Sequence, residues 1–204
     1  MREKTSPHAR TSSAGVCSWP KGDQLMMKYH DKEWGKPIRG DRKIFEFLVL
    51  ESAQAGLSWL TILRKREGYR RAFADFDPKR VARFNKRNVM KLLKNSSIVR
   101  NRLKIEATIN NAKKFLEAEK EFGSFSKYMW NFVEGKPIDG KHKSLKSLPA
   151  ITKESEAFSR DLKKRGFKFL GPTTVYAHMQ AVGMVNDHIQ SCFRYKELKK
   201  LSKG

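Results

Sequence analysis

Asp41-Arg-Lys-Ile-Phe-Glu-Phe-Leu-Val-Leu-Glu-Ser-Ala-Gln-Ala-Gly-Leu-Ser-Trp59 reads as two helices meeting at a corner. Asp41 can cap a helix that carries Ile44, Phe45, Leu48 and Glu51 to Ala55. Gly56 is its natural stop, and Ser58 can cap a second helix through Leu60, Leu63 and Phe73. The same grammar recurs outward from this corner. Asp77-Pro78 places a cap before a proline at the first helical position, ahead of short helices through Val81 and Phe84 and through Val89, Leu92 and Leu93. Ile98 to Ala118 reads as helix with Ile105, Ile109 and Phe115 on one side, and Phe125 to Val133 as a shorter one. Glu134 to Pro149, with Gly135, Pro137 and Gly140, is the longest loop. Thr152 can cap a helix over Glu156 to Lys164 that Gly166 ends, and another runs from Thr174 to about Ala181. Alternating strand patterns are almost absent, so the fold class is all-α.

Residues 1–15 are rich in Ser, Thr and charge with no apolar period and read as a flexible leader. Residues 16–195 read as a single all-α domain with room for two lobes, and 196–204 as a basic tail. A hydrophobic fraction of 39% with 13 Phe, 4 Trp and 5 Tyr supplies a sizeable core and excludes a disordered chain. No window approaches the roughly 18 to 20 apolar residues of a membrane span, and the leader lacks a secretory apolar stretch, so the protein is expected inside the cell.

The 44 Lys+Arg against 21 Asp+Glu leave a net charge of +23, which favours a nucleic-acid partner over a small metabolite. The charge lies within foldable sequence. Between Pro78 and Ile105 stand Lys79, Arg80, Arg83, Lys86, Arg87, Lys91, Lys94, Arg100, Arg102 and Lys104, with no acid among them. A merely solvated basic face is the alternative.

Glu51 shares a helix face with Phe47, Leu48 and Ala55, where an unpaired carboxylate costs several kcal/mol to bury. It either reaches the surface, pairs with an arginine, or serves a site. Trp59 across the Gly56 corner, with Tyr29 and Trp34 flanking His30-Asp-Lys-Glu33, favours the site. Aromatic faces with one acceptor make a base pocket, since stacking is worth roughly 1 to 3 kcal/mol per base. Lys168-Phe-Leu-Gly-Pro-Thr173 resembles the hairpin of a helix-hairpin-helix element, and Lys163, Lys164, Arg165 and Lys168 make it a candidate phosphate anchor as well as a candidate plain turn. The only cysteines, Cys17 and Cys192, leave free-thiol, metal and single-bridge readings open. His188 and Cys192 are four apart and would point the same way on a helix. With Cys17 and His30 they could form a metal clasp joining the two ends of the chain.

Read together, these stretches resemble the 3-methyladenine DNA glycosylase I family of bacterial base-excision enzymes. The resemblance runs from Cys17-Ser-Trp through Tyr29-His-Asp-Lys-Glu-Trp-Gly35, Leu50-Glu-Ser-Ala-Gln-Ala-Gly-Leu-Ser-Trp59, Lys65-Arg-Glu-Gly-Tyr69 and Ile98-Val-Arg-Asn-Arg102. It continues in Lys164-Arg-Gly-Phe-Lys-Phe-Leu-Gly-Pro-Thr173 and in Gly183-Met-Val-Asn-Asp-His188 to Cys192. It implies an all-α helix-hairpin-helix DNA glycosylase architecture with one structural zinc ion held by Cys17, His30, His188 and Cys192. It also implies a base pocket built on Glu51, Tyr29, Trp34, Trp59 and Trp19, with Glu51 the catalytic residue.

The implied reaction is monofunctional hydrolytic removal of 3-methyladenine from alkylated double-stranded DNA, leaving an abasic site with no lyase step. It is expected of a monomer at the nucleoid of the bacterial cytoplasm. Gln54, Gly56 and Leu57 are placed to fill the vacated stack, with Leu57 the wedge, and Lys168, Gly171 and Thr173 to hold the backbone. Ser52 and Ser97 stand where the family often has glycine, and Met26 where it often has an aromatic. Asp187 is a candidate for positioning water, or else supports the zinc shell or caps a helix. His178 reads as a core or surface histidine, and His8 and His142 as exposed. A catalytically silent, zinc-stapled damage-binding module and an RNA-associated basic protein are the rival readings.

Overall fold

The computed structural model describes residues 16–201, so the leader with His8 and the last three positions of the tail lie outside it. Ten α-helices make up most of the described chain: α1 Gln24–Lys32, α2 Asp41–Gln54, α3 Trp59–Ala72, α4 Pro78–Val81, α5 Lys86–Leu93, α6 Arg102–Phe122, α7 Phe125–Trp130, α8 Lys153–Lys164, α9 Pro172–Ala181 and α10 Phe193–Leu201. Two strands of two residues, β1 Ile138–Asp139 and β2 Val185–Asn186, pair in parallel and tie the long loop to the segment after α9. Among the described residues no helix is long and apolar enough to cross a membrane.

The local chemistry explains most boundaries. Ser58 caps α3 by accepting from the Thr61 amide, Asp77 caps α4 ahead of Pro78, and Thr152 caps α8. Asp41 behaves differently from the reading of its sequence. The N-cap of α2 is Gly40, which offers no side chain, and the Asp41 carboxylate accepts from the Phe125 and Ser126 amides at 2.8 and 2.8 Å. It thus satisfies orphan amides at the start of α7, far along the chain. Helix α6 begins at Arg102 rather than Ile98, because Asn101 caps it while the Val99 amide donates instead to the Tyr69 hydroxyl.

Two helices escaped the sequence reading. Helix α1, capped by Asp23, buries only Tyr29 and His30, too short a stripe to register as a period. Helix α10 runs through position 196, where composition set the start of a tail. It stays helical because Tyr195 and Leu198 are buried and Lys199 pairs with Asp139 of β1 at 2.9 Å.

Helix α2 is the centre of the protein. Every residue from Ile44 to Ala53 is buried, against α3, α6, α7 and α9. A helix apolar all round is a core helix, which makes the two acids inside that run, Glu46 and Glu51, exceptional. Helices α8 and α9 pack side by side, and the hairpin between them is pinned by Asn111. That side chain is fully buried, donating to the Lys168 carbonyl and accepting from the Lys168 amide.

Candidate active site and metal centre

Glu51 and all four aromatics proposed with it line one cavity of about 360 Å³, together with Met26, Gln54, Leu145, Leu148, Ala177 and Gln180. Tyr29 and Trp34 are brought there by α1 and the turn after it, and Trp59 by the capped start of α3. Trp19 closes the cluster edge-on to Trp34 at 5.2 Å, and Tyr29 lies 5.3 Å from Trp59 between ring centroids. Met26 supplies apolar wall where an aromatic was expected. Leu145 and Leu148, from the long loop, gave no sequence signal. Ala177 and Gln180, three apart on α9, share a helix face that could have been read.

Gln180 donates to Asp187, but Glu51 and two of the indoles in this cavity have no hydrogen-bond partner among the described residues. The indole nitrogens of Trp19 and Trp59 are buried and donate to nothing among the described residues. Glu51 is 5% exposed, and burial alone pushes its pKa up to about 8. Burial raises the Tyr29 hydroxyl as well, and the nearby Glu51 charge adds to it. Arginine pairing, one alternative for Glu51, has gone to Glu46 instead. That carboxylate takes Arg66 at 2.7 Å, Lys43 at 3.0 Å and Arg70 at 3.2 Å, and Arg66 continues to Glu33 at 2.6 Å.

Cys17, His30, His188 and Cys192 are all buried, with one ligand atom from each within 4.8 Å of the others, a set that could hold a metal ion. His188 and Cys192 converge, though not on a helix: they lie in the turn between β2 and α10, closed by the Cys192 amide on the Ile189 carbonyl. His188 Nε2 faces the Trp34 carbonyl at 3.1 Å and His30 Nδ1 the Asp31 carboxylate at 2.7 Å. Both partners only accept, so those nitrogens carry the protons, and the lone pairs of His188 Nδ1 and His30 Nε2 face the sulfurs. The hydrogen bond between the two sulfurs pulls the Cys192 thiol down and pushes the Cys17 thiol up.

The remaining candidates are placed as follows. Gly56 turns the corner with φ +76°, and Leu57 stands 40% exposed at its tip. Lys168 and Thr173 are exposed at the hairpin, and Gly171 is the N-cap of α9 with no side chain over the following amides. Asp187 is buried outside the cavity lining. It accepts from Tyr176 at 2.5 Å and Gln180 at 2.8 Å and lies 3.1 Å from His142 Nε2. Among the described residues its side chain caps no helix and hydrogen-bonds none of Cys17, His30, His188 and Cys192; it fastens Gln180 and, through His142, the loop that carries Leu145 and Leu148. His142 is therefore half-buried rather than exposed. His178 is a core histidine with both nitrogens unpartnered, and burial takes its pKa down to about 3.

The family model for methyladenine glycosylase matches residues 19–195. This chain belongs to the methyladenine glycosylase family. It is similar to the DNA-3-methyladenine glycosylase of Haemophilus influenzae, 47% identical over 176 residues that cover 86% of this chain and 95% of the relative. It is similar to DNA-3-methyladenine glycosylase 1 of Escherichia coli K12, 45% identical over 179 residues, 88% and 96% of the two chains. Its fold matches the solved structure of 3-methyladenine DNA glycosylase I from Staphylococcus aureus, described for 3-methyladenine recognition, with a TM-score of 0.86 at 39% identity over 89% of this chain and 97% of the other. The methyladenine glycosylase match begins beyond Cys17, so that cysteine is the one cluster member outside it.

Proposed function

We propose that this protein removes 3-methyladenine from alkylated double-stranded DNA as a monofunctional glycosylase. The observation that carries the reading is Glu51, a buried carboxylate with no partner in an aromatic cavity whose indole N–H groups are also unused. Buried polar groups are ordinarily satisfied, so a concentration of unsatisfied ones marks a place reserved for a ligand.

The lesion is a cation, and that decides the discrimination. A positive charge brought beside Glu51 favours its ionised form and lies against electron-rich aromatic faces; neutral adenine brings neither gain. Glu51 then accepts from the exocyclic amine. The glycosidic electron pair leaves with the base, which neutralises its charge, while water bonds to C1′ and releases a proton. Leu57 at the exposed corner fills the vacated stack, with Gln54 behind it. Lys168 and the uncapped start of α9, in a helix-hairpin-helix, hold the backbone.

The four-residue cluster would hold one structural zinc. In a tetrahedral site with the usual bond lengths, nitrogen and sulfur ligands stand about 3.6 Å apart. The His188 contacts with Cys17 and Cys192 measure 3.7 and 3.5 Å and the His30 contact with Cys192 3.6 Å. Four protein ligands leave no open position, so zinc would join the two ends of the fold and take no part in the reaction. One chain carries the whole site and needs no second copy; in a bacterium its duplex substrate is at the nucleoid.

Chromatography of bases released from alkylated duplex DNA tests this. Free 3-methyladenine with 7-methylguanine left in place is expected; a folded, zinc-loaded protein that releases nothing is instead a damage-binding module.

A further inference from the structure

The basic run between residues 78 and 105 is not used by the base pocket, and part of it closes around a second cavity of about 370 Å³ between the end of α3 and α5. Arg71, Arg80, Lys91 and Lys94 line that cavity and no acid does. Arg66, Arg70, Arg165 and Arg194 find carboxylates, whereas these four cations, like exposed Arg83, Arg87 and Arg100, have no side-chain partner among the described residues. Asn88 and Asn95 complete the rim. The Asn88 side-chain oxygen is taken by the Asn85 amide and that of Asn95 by Ser97, which leaves both NH₂ groups to donate. The floor is apolar, from Phe84 and Leu92. Ala74, also in the lining, begins a left-handed turn with φ values of 51, 57 and 56° over Ala74, Asp75 and Phe76.

Its position gives the cavity a meaning. Arg71 follows Trp59 by 12 residues on the same helix, which sets the cavity about 18 Å from the base pocket. The segment that follows Asn95 packs beside α3, where Lys65 donates to the Ser96 carbonyl and the Tyr69 hydroxyl accepts from the Val99 amide. It ends where Lys104 holds the Ala53 and Ala55 carbonyls at the DNA-facing corner. Exposed Lys94, Arg100 and Arg102 lie along it.

We infer that this cavity is a second DNA site, which holds backbone phosphates of the duplex about five base pairs from the flipped nucleotide, at 3.4 Å per step. Four cations and two amide donors without an acid suit phosphodiester oxygens, and a track leading from the corner suits a long anion rather than a compact one. The inference rests on DNA being the substrate. It adds a hold on the duplex that the base pocket and the hairpin do not provide and that serves any sequence equally.

Binding of fluorescent duplexes with one central abasic analogue tests it, using the full chain and arms of about 4 and about 12 base pairs on each side. On the long duplex, the variant Arg71→Ala, Arg80→Ala, Lys91→Ala, Lys94→Ala is expected to bind at least ~10-fold more weakly near ~50 mM KCl. Its log–log salt slope should be shallower by about 0.9 for each phosphate that the variant no longer neutralises. On the short duplex it should match wild type. Arg71→Lys with Arg80→Lys, which keeps the charge, should match wild type on both. Unchanged binding to the long duplex overturns the inference, as does an equal loss on both lengths. RNA that competes better than DNA for the alanine-sensitive site overturns it too, in favour of an RNA site. Base release by wild type is read alongside: length-dependent binding without release leaves the second site standing and removes the glycosylase reading instead.

Discussion

Two carboxylates sit five positions apart on α2, Glu46 at 3% exposure and Glu51 at 5%, and they have opposite surroundings. Glu46 is held by Arg66, Arg70 and Lys43, a closed ion-pair cluster with every charge answered. Glu51 faces an aromatic cavity, and burial is the one cause of its raised pKa. The first arrangement stabilises the fold once the pair is made, and the second works against the fold until a ligand arrives. Burial alone does not mark a functional acid; a missing partner does.

The cysteine and histidine cluster extends the comparison, since its polar groups also answer one another. If it closes around zinc, metal binding contributes on the order of 10 kcal/mol, about the whole stability of a domain, and Cys192→Ser should abolish cooperative unfolding. Circular dichroism melts with metal analysis check this, and a Cys192→Ser protein that melts like wild type contradicts it. Glu46→Gln should cost about 2 kcal/mol, or roughly 6 °C in the thermal midpoint, by taking the buried carboxylate from Arg66 and Arg70 and leaving them Glu33 and Glu67. Its base-release rate per folded molecule should stay that of wild type.

Glu51→Gln should do the reverse to stability. Glu51 keeps its proton in the fold up to about 8, whereas an unfolded chain gives it up near 4.5. The fold therefore loses stability as pH rises between those values and stays lower above them. The melting advantage of the glutamine variant should grow from pH 5 to about 8 and then level off. An advantage that is constant with pH would mean that Glu51 has the same pKa folded and unfolded.

Much of this was legible in the sequence. The corner at Gly56 and the caps at Ser58, Asp77 and Thr152 follow from local chemistry, which a linear reading captures. An acid on an apolar helix face with Tyr29, Trp34 and Trp59 near it pointed to a site, while Trp19 came from the family resemblance alone; the five line one cavity. What stayed hidden depends on partners distant in sequence. Asp41 caps a helix 84 residues away, Asn111 pins a hairpin 57 residues on, and Asp187 fastens His142 from 45 residues off. Glu46 could not be told from Glu51 by pattern, because both stand among apolar neighbours and only the fold decides which one meets Arg66. Leu145 and Leu148 sit in a loop without a period, placed by the pairing of β1 with β2.

The measurement closest to the central claim is the pH dependence of kcat/KM for 3-methyladenine release by wild type and Glu51→Gln. If the unpartnered carboxyl must ionise to take the lesion, wild type rises about tenfold per unit from pH 6 and levels above about 8. The glutamine variant should be flat across that range and about 100-fold slower on the plateau. A glutamine variant that retains the wild-type rate and pH profile would show that Glu51 is as structural as Glu46.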